Sequence, residues 1–217
     1  MKGIVIVAHD DDVVLWMGGT IRSLSSWDWH LISMCNAQNE DRKGYFRSTS
    51  SKLGATCDTF DFCDYQTEEI VDKGNSITDM KHNLLNLLVN KRYDYVFTHS
   101  RDPNGEYGFH ANHREVCQSV QALVSMGHLT EKPSNIAYFC YYPIYGLTGI
   151  PTVAKVDAKF YVQLSYSNLA FKLDLICSHK EDIVDNLEQN LGSPCPNPEA
   201  FEGDSLDLPA PFIRRPP

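Results

Sequence analysis

Apolar residues fall into short, nearly continuous runs, and between the runs the apolar spacing becomes helical. The runs Gly3–Ala8, His30–Cys35, Thr56–Phe62, Tyr93–His99 and Ile136–Tyr142 are rich in β-branched and aromatic residues. They predict strands covered on both faces, because a strand with one wet face alternates apolar and polar residues instead. Val13–Ser26 carries Val13, Val14, Leu15, Met17, Ile21 and Leu24 near helical spacing. Ser76–Asn90 places Ile77, Met80, Leu84, Leu87 and Leu88 along one side, and His110–Met126 runs up to Gly127. A shorter helix over Tyr45–Leu53 stops at Gly54, a residue suited to a helix C-cap. The order β-α-β-α-β-α-β-α-β predicts an α/β fold. It is Rossmann-like and doubly wound, with a mainly parallel sheet and helices on both faces.

The last part is less regular. Ala154–Val162 reads as a strand and Asn168–Gln189 as a long helix. From Gly192 the prolines Pro194, Pro196, Pro198, Pro209, Pro211, Pro216 and Pro217 predict a tail that wraps in extended form or is partly disordered. The expected organisation is one domain over residues 1–191 and a tail over 192–217, with no internal repeat and no linker.

Composition narrows the function classes. A chain of 217 residues can bury roughly 70% of its unfolded surface around one core. A net charge of −9 argues against a nucleic-acid backbone or an anionic membrane as partner, since both require basic patches. A nucleoside or a sugar stays open. No stretch approaches the roughly 20 apolar residues of a membrane span, and Met1-Lys2-Gly3 leads straight into a strand without a signal-like apolar region. The protein is therefore read as cytoplasmic. Its seven cysteines include no Cys-x-x-Cys pair and several sit in apolar runs, so they read as reduced, buried thiols. The oligomeric state is not legible.

The candidate chemistry sits where strands end. His9, Asp10, Asp11 and Asp12 directly follow the first strand, and His110 and His113 follow the fourth after a polar loop. In a Rossmann-like sheet the first and fourth strands are neighbours, and a crevice opens at their carboxyl ends. His9 and Asp12 are three apart at a strand-to-helix turn, and His110 and His113 are three apart at a helix start, so each pair can share one face. Two imidazoles with one carboxylate make a catalytic zinc set that leaves a coordination position for water. Asp11, between ligand-spaced neighbours, is the natural general base. Each cluster also has a plainer reading. An Asp run after a strand serves as a helix N-cap, for which Asp12 is well placed, and a lone His-x-x-His on a helix is commonly structural. The conjunction of the two clusters favours the metal site.

At these residues the chain resembles the PIG-L/LmbE-like family of zinc-dependent N-deacetylases. That family's first motif, Ala-His-Pro-Asp-Asp-Glu, corresponds to Ala8-His9-Asp10-Asp11-Asp12-Val13, and its His-x-x-His, often preceded by Gly-Glu-Tyr-Gly, corresponds to Gly105-Glu106-Tyr107-Gly108-Phe109-His110-Ala111-Asn112-His113. The resemblance spans residues 1 to about 190. It implies that His9, Asp12 and His113 bind Zn2+, with Fe2+ or another divalent ion as alternatives. It also implies that Asp11 is the base and that His110 stabilises the tetrahedral intermediate or protonates the leaving amine. Arg42 falls where the family has a substrate-contacting arginine, with Arg47 nearby as a rival. Arg101, Asn104 and Tyr107 are substrate-contact candidates, and His179 lies where many members have a histidine near the pocket. Asp10 replaces the family's proline and Val13 its glutamate, so both tune the site.

The expected function is removal of an N-acetyl group from an amino sugar or related glycoconjugate, a small-molecule substrate. Ser100, Asp102, Asn104, Glu106 and Tyr107 offer hydroxyl contacts, and Trp27, Trp29, Tyr141, Tyr142 and Tyr145 offer sugar-stacking faces if they are not core. The alternative is a non-catalytic Rossmann-like module that binds a glycan or nucleotide. The absence of Gly-x-Gly-x-x-Gly after the first strand weighs against a dinucleotide, since Gly18-Gly19 lies too deep in the helix. Phosphoester hydrolysis is disfavoured by the acidic crevice.

Overall fold

Side chains alternate between the faces of a strand, and the first strand, β1 (Lys2–Val7), is apolar on both. Ile4 and Ile6 enter one core, and Val5 and Val7 enter a second core across the sheet. Such a strand needs helices above and below it. A computed structural model of the chain describes residues 1–35, 37–64, 77–102, 105–106, 110–142, 153–178, 198–204 and 206–215, and it has that arrangement.

Strands β2 (Asp28–Cys35), β3 (Thr56–Phe62), β4 (Tyr95–Thr98) and β5 (Ile136–Phe139) join β1 in the parallel order β3-β2-β1-β4-β5. Helices α1 (Asp12–Ser23), α2 (Glu40–Lys52) and α5 (Tyr166–Cys177) supply Val14, Phe46 and Leu175 to the core that holds Val5 and Val7. Helices α3 (Ile77–Leu87) and α4 (Ala111–Ser125) supply Met80, Leu84, Val116 and Val120 to the other. The fold is α/β, doubly wound and LmbE-like. Gly54 and Gly127, just past α2 and α4, have left-handed φ of 73° and 77°, which glycine adopts without a Cβ penalty.

Three elements differ from the sequence reading. Helix α2 starts at Glu40, a turn before the expected Tyr45. Its first turn has no apolar stripe to announce it, but the Asn39 side chain accepts hydrogen bonds from the amides of Asp41 and Arg42, and Glu40 and Asp41 favour the helix dipole. The strand expected over Ala154–Val162 contracts to β6 (Phe160–Val162), while Ala154 forms only an isolated bridge with Tyr141. The expected helix to Gln189 is described as far as Cys177, and its continuation from 179 lies outside the described residues.

The third difference concerns the tail. Expected as an extended wrap or partly disordered, it places β7 (Glu199–Glu202) inside the sheet between β5 and β6, antiparallel to both. A two-residue β8 (Ile213–Arg214) then pairs with β6. The cause is a break in α1. Met17 has φ −151° and ψ 17°, outside the helical region, so nearby peptide groups need partners from elsewhere. Glu199 accepts from the amides of Gly19 (3.0 Å) and Thr20 (2.6 Å). The Tyr141 hydroxyl donates to the Trp16 carbonyl (2.9 Å) and accepts from the Ala200 amide (3.0 Å). Lys172 of α5 donates to Glu199 (2.6 Å), and both side chains are fully buried. Gly19 also lets Leu164 pack against α1, since a Cβ there would lie 2.4 Å from the leucine side chain.

At the amino ends of the strands, His30 sits between Tyr93 and Asp58. Its Nδ1 accepts from the tyrosine hydroxyl (2.6 Å) and its Nε2 donates to the carboxylate (2.9 Å), beside a polar cavity of about 450 Å3. Burial lowers its pKa below 6.5, with Lys91 acting the same way and Asp58 and Asp28 opposing.

Two stability tests follow from this packing. Glu199→Ala removes a carboxylate that a buried lysine and two amides share, so urea unfolding should show a loss of about 3–5 kcal/mol. Adding Lys172→Met should recover part of it. Because the folded state disfavours protonated His30, its contribution is present above the unfolded pKa and is lost as pH falls below about 6.5. The urea midpoint of the wild type should therefore drop more between pH 7.5 and 5 than that of His30→Gln.

Candidate metal centre

The pairing of β1 with β4 aligns Gly3 with Tyr95 and Ile6 with Thr98, so the two strands end side by side. His9 lies just past one end and His99 just past the other, while His110 is the N-cap of α4 and His113 lies in that helix's first turn. The fold thus gathers His9, Asp11, Asp12, His110 and His113 into one cluster.

Three atoms stand out. His9 Nδ1 is 3.2 Å from Asp12 Oδ2 and 3.3 Å from His113 Nε2, and His113 Nε2 is 3.4 Å from Asp12 Oδ2. A tetrahedral ion with bonds of about 2.0–2.1 Å requires ligand atoms about 3.4 Å apart. The near-equilateral triangle of two imidazole nitrogens and a carboxylate oxygen fits a divalent ion. All three residues are buried, with relative exposures of 7%, 2% and 5% for His9, Asp12 and His113. His99 Nε2 is also 3.4 Å from Asp12 Oδ2, but it already accepts the Ala8 amide (2.8 Å), so its lone pair is spent.

The surroundings orient these groups. Asp12 is the first residue of α1 rather than its N-cap. Asp11 holds the cap position without a side-chain capping bond. Asp12 instead accepts the His9 amide at Oδ2 (2.8 Å) and the Trp16 indole at Oδ1 (3.0 Å). His9 Nε2 meets Asp64 (3.0 Å), so this histidine has a carboxylate on each side. The ring of His113 stacks between those of His99 (3.8 Å) and His110 (4.4 Å). Behind it, buried Glu106 places one oxygen 3.4 Å from His99 Nδ1 and the other 3.7 Å from His113 Nδ1, while accepting the Ser100 amide (2.7 Å). Glu106 adopts φ 48°, a costly backbone for a non-glycine residue, and Gly105 before it allows Ser100 within 2.3 Å of where a Cβ would sit. Glu106 therefore faces histidines, not the hydroxyl contacts expected of it.

Burial opposes charge throughout, but paired carboxylates win at two histidines. Hydrogen bonds to Asp12 and Asp64 raise His9 to about 10, and Asp12 with Glu106 raises His113 to about 9. His110 moves the other way, to about 2, through burial and the charges of His113 and His9. Burial and the adjacent Asp12 and Asp10 push Asp11 up, against His9 and Arg42. Burial acts upward on Asp12 as well, yet His113 and His99 hold it well below the usual carboxylate range.

Arg42, brought in by the early start of α2, donates from Nε to Asp10 (2.7 Å) and reaches toward Asp11 (3.7 Å) and Asp64 (4.0 Å). The charge that replaces the family's proline is thus paired, and Val13, in place of the glutamate, is buried in the core. Arg101 is engaged elsewhere. It forms a two-pronged pair with Asp204 (2.8 and 3.0 Å) and stacks over Tyr138, and neither partner belongs to the cluster. Asn104, Tyr107, Tyr145 and His179 lie outside the described residues. Trp27, Trp29 and Tyr141 are core residues. Sequence reasoning gave no role to His99, Asp64 or Asn112. His99 had a signal, its place at a strand's carboxyl end. Asp64 and Asn112 had none. Asn112 is buried and donates to Cys35 Sγ (3.2 Å) and the Cys63 carbonyl (2.8 Å), which ties α4 to the segment carrying Asp64.

Residues 4–124, more than half of the chain, match the model of the family PIG-L, GlcNAc-PI de-N-acetylase. The chain belongs to this family. Among solved structures, this PIG-L member is similar to the N,N'-diacetylchitobiose deacetylase from Pyrococcus horikoshii at 19% identity and TM-score 0.64, covering 94% of this chain and 84% of that one. It is similar to the zinc-inhibited form of the teicoplanin deacetylase Orf2 at 8% identity and TM-score 0.58, over 99% of both chains. It is also similar to GalB, the 4-carboxy-2-hydroxymuconate hydratase from Pseudomonas putida KT2440, at 18% identity and TM-score 0.51, over 64% of this chain and 66% of that one. No curated protein sequence matches at a significant level. At such identities the likeness carries the fold, and that fold hosts a hydratase as well as deacetylases.

The carboxylate behind His9 supplies a test. Asp64→Ala should weaken divalent-ion binding about 10–100-fold in chelator competition, because outer-shell partners fix ligand orientation. Thermal unfolding of the ion-free protein should come at a lower temperature too, because Asp64 is one of the two carboxylates that raise His9.

Proposed function

We propose that this PIG-L member is a metal-dependent hydrolase that removes an N-acetyl group from an amino sugar or related glycoconjugate. The observation that carries the reading is the His9–Asp12–His113 triangle, with the Asp11 carboxyl group and the His110 imidazole beside it. His9, Asp12 and His113 would hold the ion, zinc in the first instance and iron or another divalent metal as alternatives. When bound, the ion supplies Lewis acidity toward the acetyl carbonyl and lowers the pKa of water.

The rest of the chemistry falls to the chain. Asp11 is more basic than an ordinary aspartate, which suits a group that takes the proton of the attacking water. His110, whose ring stacks on that of His113, would donate a hydrogen bond to the developing oxyanion. The proton that reaches the leaving nitrogen is then the one Asp11 removed. Water has added to the carbonyl carbon, the C–N bond has broken, and acetate and a free amine leave. The side chain of Arg42 is 26% exposed, so it is the described candidate for touching substrate hydroxyls. The diacetylchitobiose enzyme and the family's own description support an N-acetylated sugar as the substrate class, and the teicoplanin enzyme supports deacetylation. Among the described residues no helix is long and apolar enough to cross a membrane.

The test is acetate release from N-acetylglucosamine and its glycosides by zinc-loaded protein. Asp11→Asn should cost about 10²–10⁴-fold in kcat while the metal stays bound. His113→Ala should lose the metal. A protein that takes up no divalent ion, or an Asp11→Asn variant as active as wild type, overturns this reading.

A further inference from the structure

We propose that Trp16 is a positioning residue for the Asp12 carboxylate, and that the late strand β7 fixes Trp16 through Tyr141. The inference rests on the metal-site reading above, and it concerns which groups aim a ligand that the motif alone does not orient.

A carboxylate has two oxygens, and only one can face the His9–His113 pair. Asp12 Oδ2 does so, and it also accepts the His9 amide. Oδ1 is turned away and accepts the Trp16 indole N–H at 3.0 Å, with both residues buried. An indole is a donor only, so it can satisfy that oxygen without competing for a cation. With a phenyl ring in its place, a buried carboxylate oxygen would lose its partner, and only the His9 amide on the other oxygen would hold the terminal torsion, a broad well.

Trp16 is itself held from two sides. Its ring lies 5.0 Å from that of Tyr141, and its carbonyl accepts the Tyr141 hydroxyl at 2.9 Å. That hydroxyl in turn accepts the Ala200 amide of β7. The break in α1 comes at the next residue, Met17, and Glu199 receives the Gly19 and Thr20 amides beyond it. The turn of helix that carries Asp12 and Trp16 is therefore pinned at its far end by a segment some 180 residues later in sequence.

The experiment is zinc affinity measured by competition with a chromophoric chelator, on wild type and Trp16→Phe. The expected result is about 10–100-fold weaker binding in the variant, with the circular dichroism spectrum of the folded protein retained. A folded Trp16→Phe protein that binds zinc within twofold of wild type overturns the inference and leaves the metal site standing. Wild-type protein that binds no zinc overturns the metal-site reading itself. If Trp16→Phe does not fold, the wild type still decides the question. In 15N-tryptophan-labelled protein the Trp16 indole resonance, assigned by elimination with Trp27→Phe and Trp29→Phe, should shift as zinc saturates the site. An indole resonance that stays fixed through saturation overturns the proposal.

Discussion

The parallel ladder between β1 and β4 governs everything at the candidate centre. It brings two strand ends together that are about ninety residues apart in sequence, and every cluster residue hangs from one of those ends or from the helix entered next. Position alone does not aim a side chain, however. Asp12 is aimed by an amide on one oxygen and an indole on the other, His9 by carboxylates on both ring nitrogens, and His113 by the rings stacked on either side of it. Each group is over-determined, which is how a buried polar cluster keeps one geometry in a medium that penalises unpaired charge.

The departures from the family motif acquire a physical account. Asp10 adds a negative charge to a crevice already crowded with carboxylates. That charge is met by Arg42, whose guanidinium lies among Asp10, Asp11 and Asp64. Arg42 thereby offsets part of the upward push that burial and the neighbouring carboxylates exert on Asp11. Val13 surrenders an acidic side chain for burial, which strengthens the contact of α1 with the sheet core.

Periodicity and position made most of the architecture legible. Thr56–Phe62 was readable to the residue, and the helices followed from their apolar stripes. What periodicity could not reveal was set by single polar residues. The first turn of α2 is held by Asn39 and shows no apolar face. Strand β7 is four residues in a proline-rich stretch, and its place inside the sheet depends on Lys172, Tyr141 and two amides freed by a broken helix. The paired clusters were conspicuous because each has ligand spacing. Asp64 and Asn112 have no such partner in sequence, and Glu106, although in the second motif's stretch, gives no sign there that it faces His99 and His113; these contacts are made only in three dimensions.

Strand β7 joins β5 to β6, although both precede it along the chain. During synthesis, β6 and α5 emerge before the strand that joins them to the sheet, and Lys172 emerges before the Glu199 carboxylate that it meets in the folded protein. That half of the sheet cannot close vectorially behind the ribosome. The nascent polypeptide must expose the edge of β5 that β7 later covers, an interval in which a holdase chaperone would find a ready client.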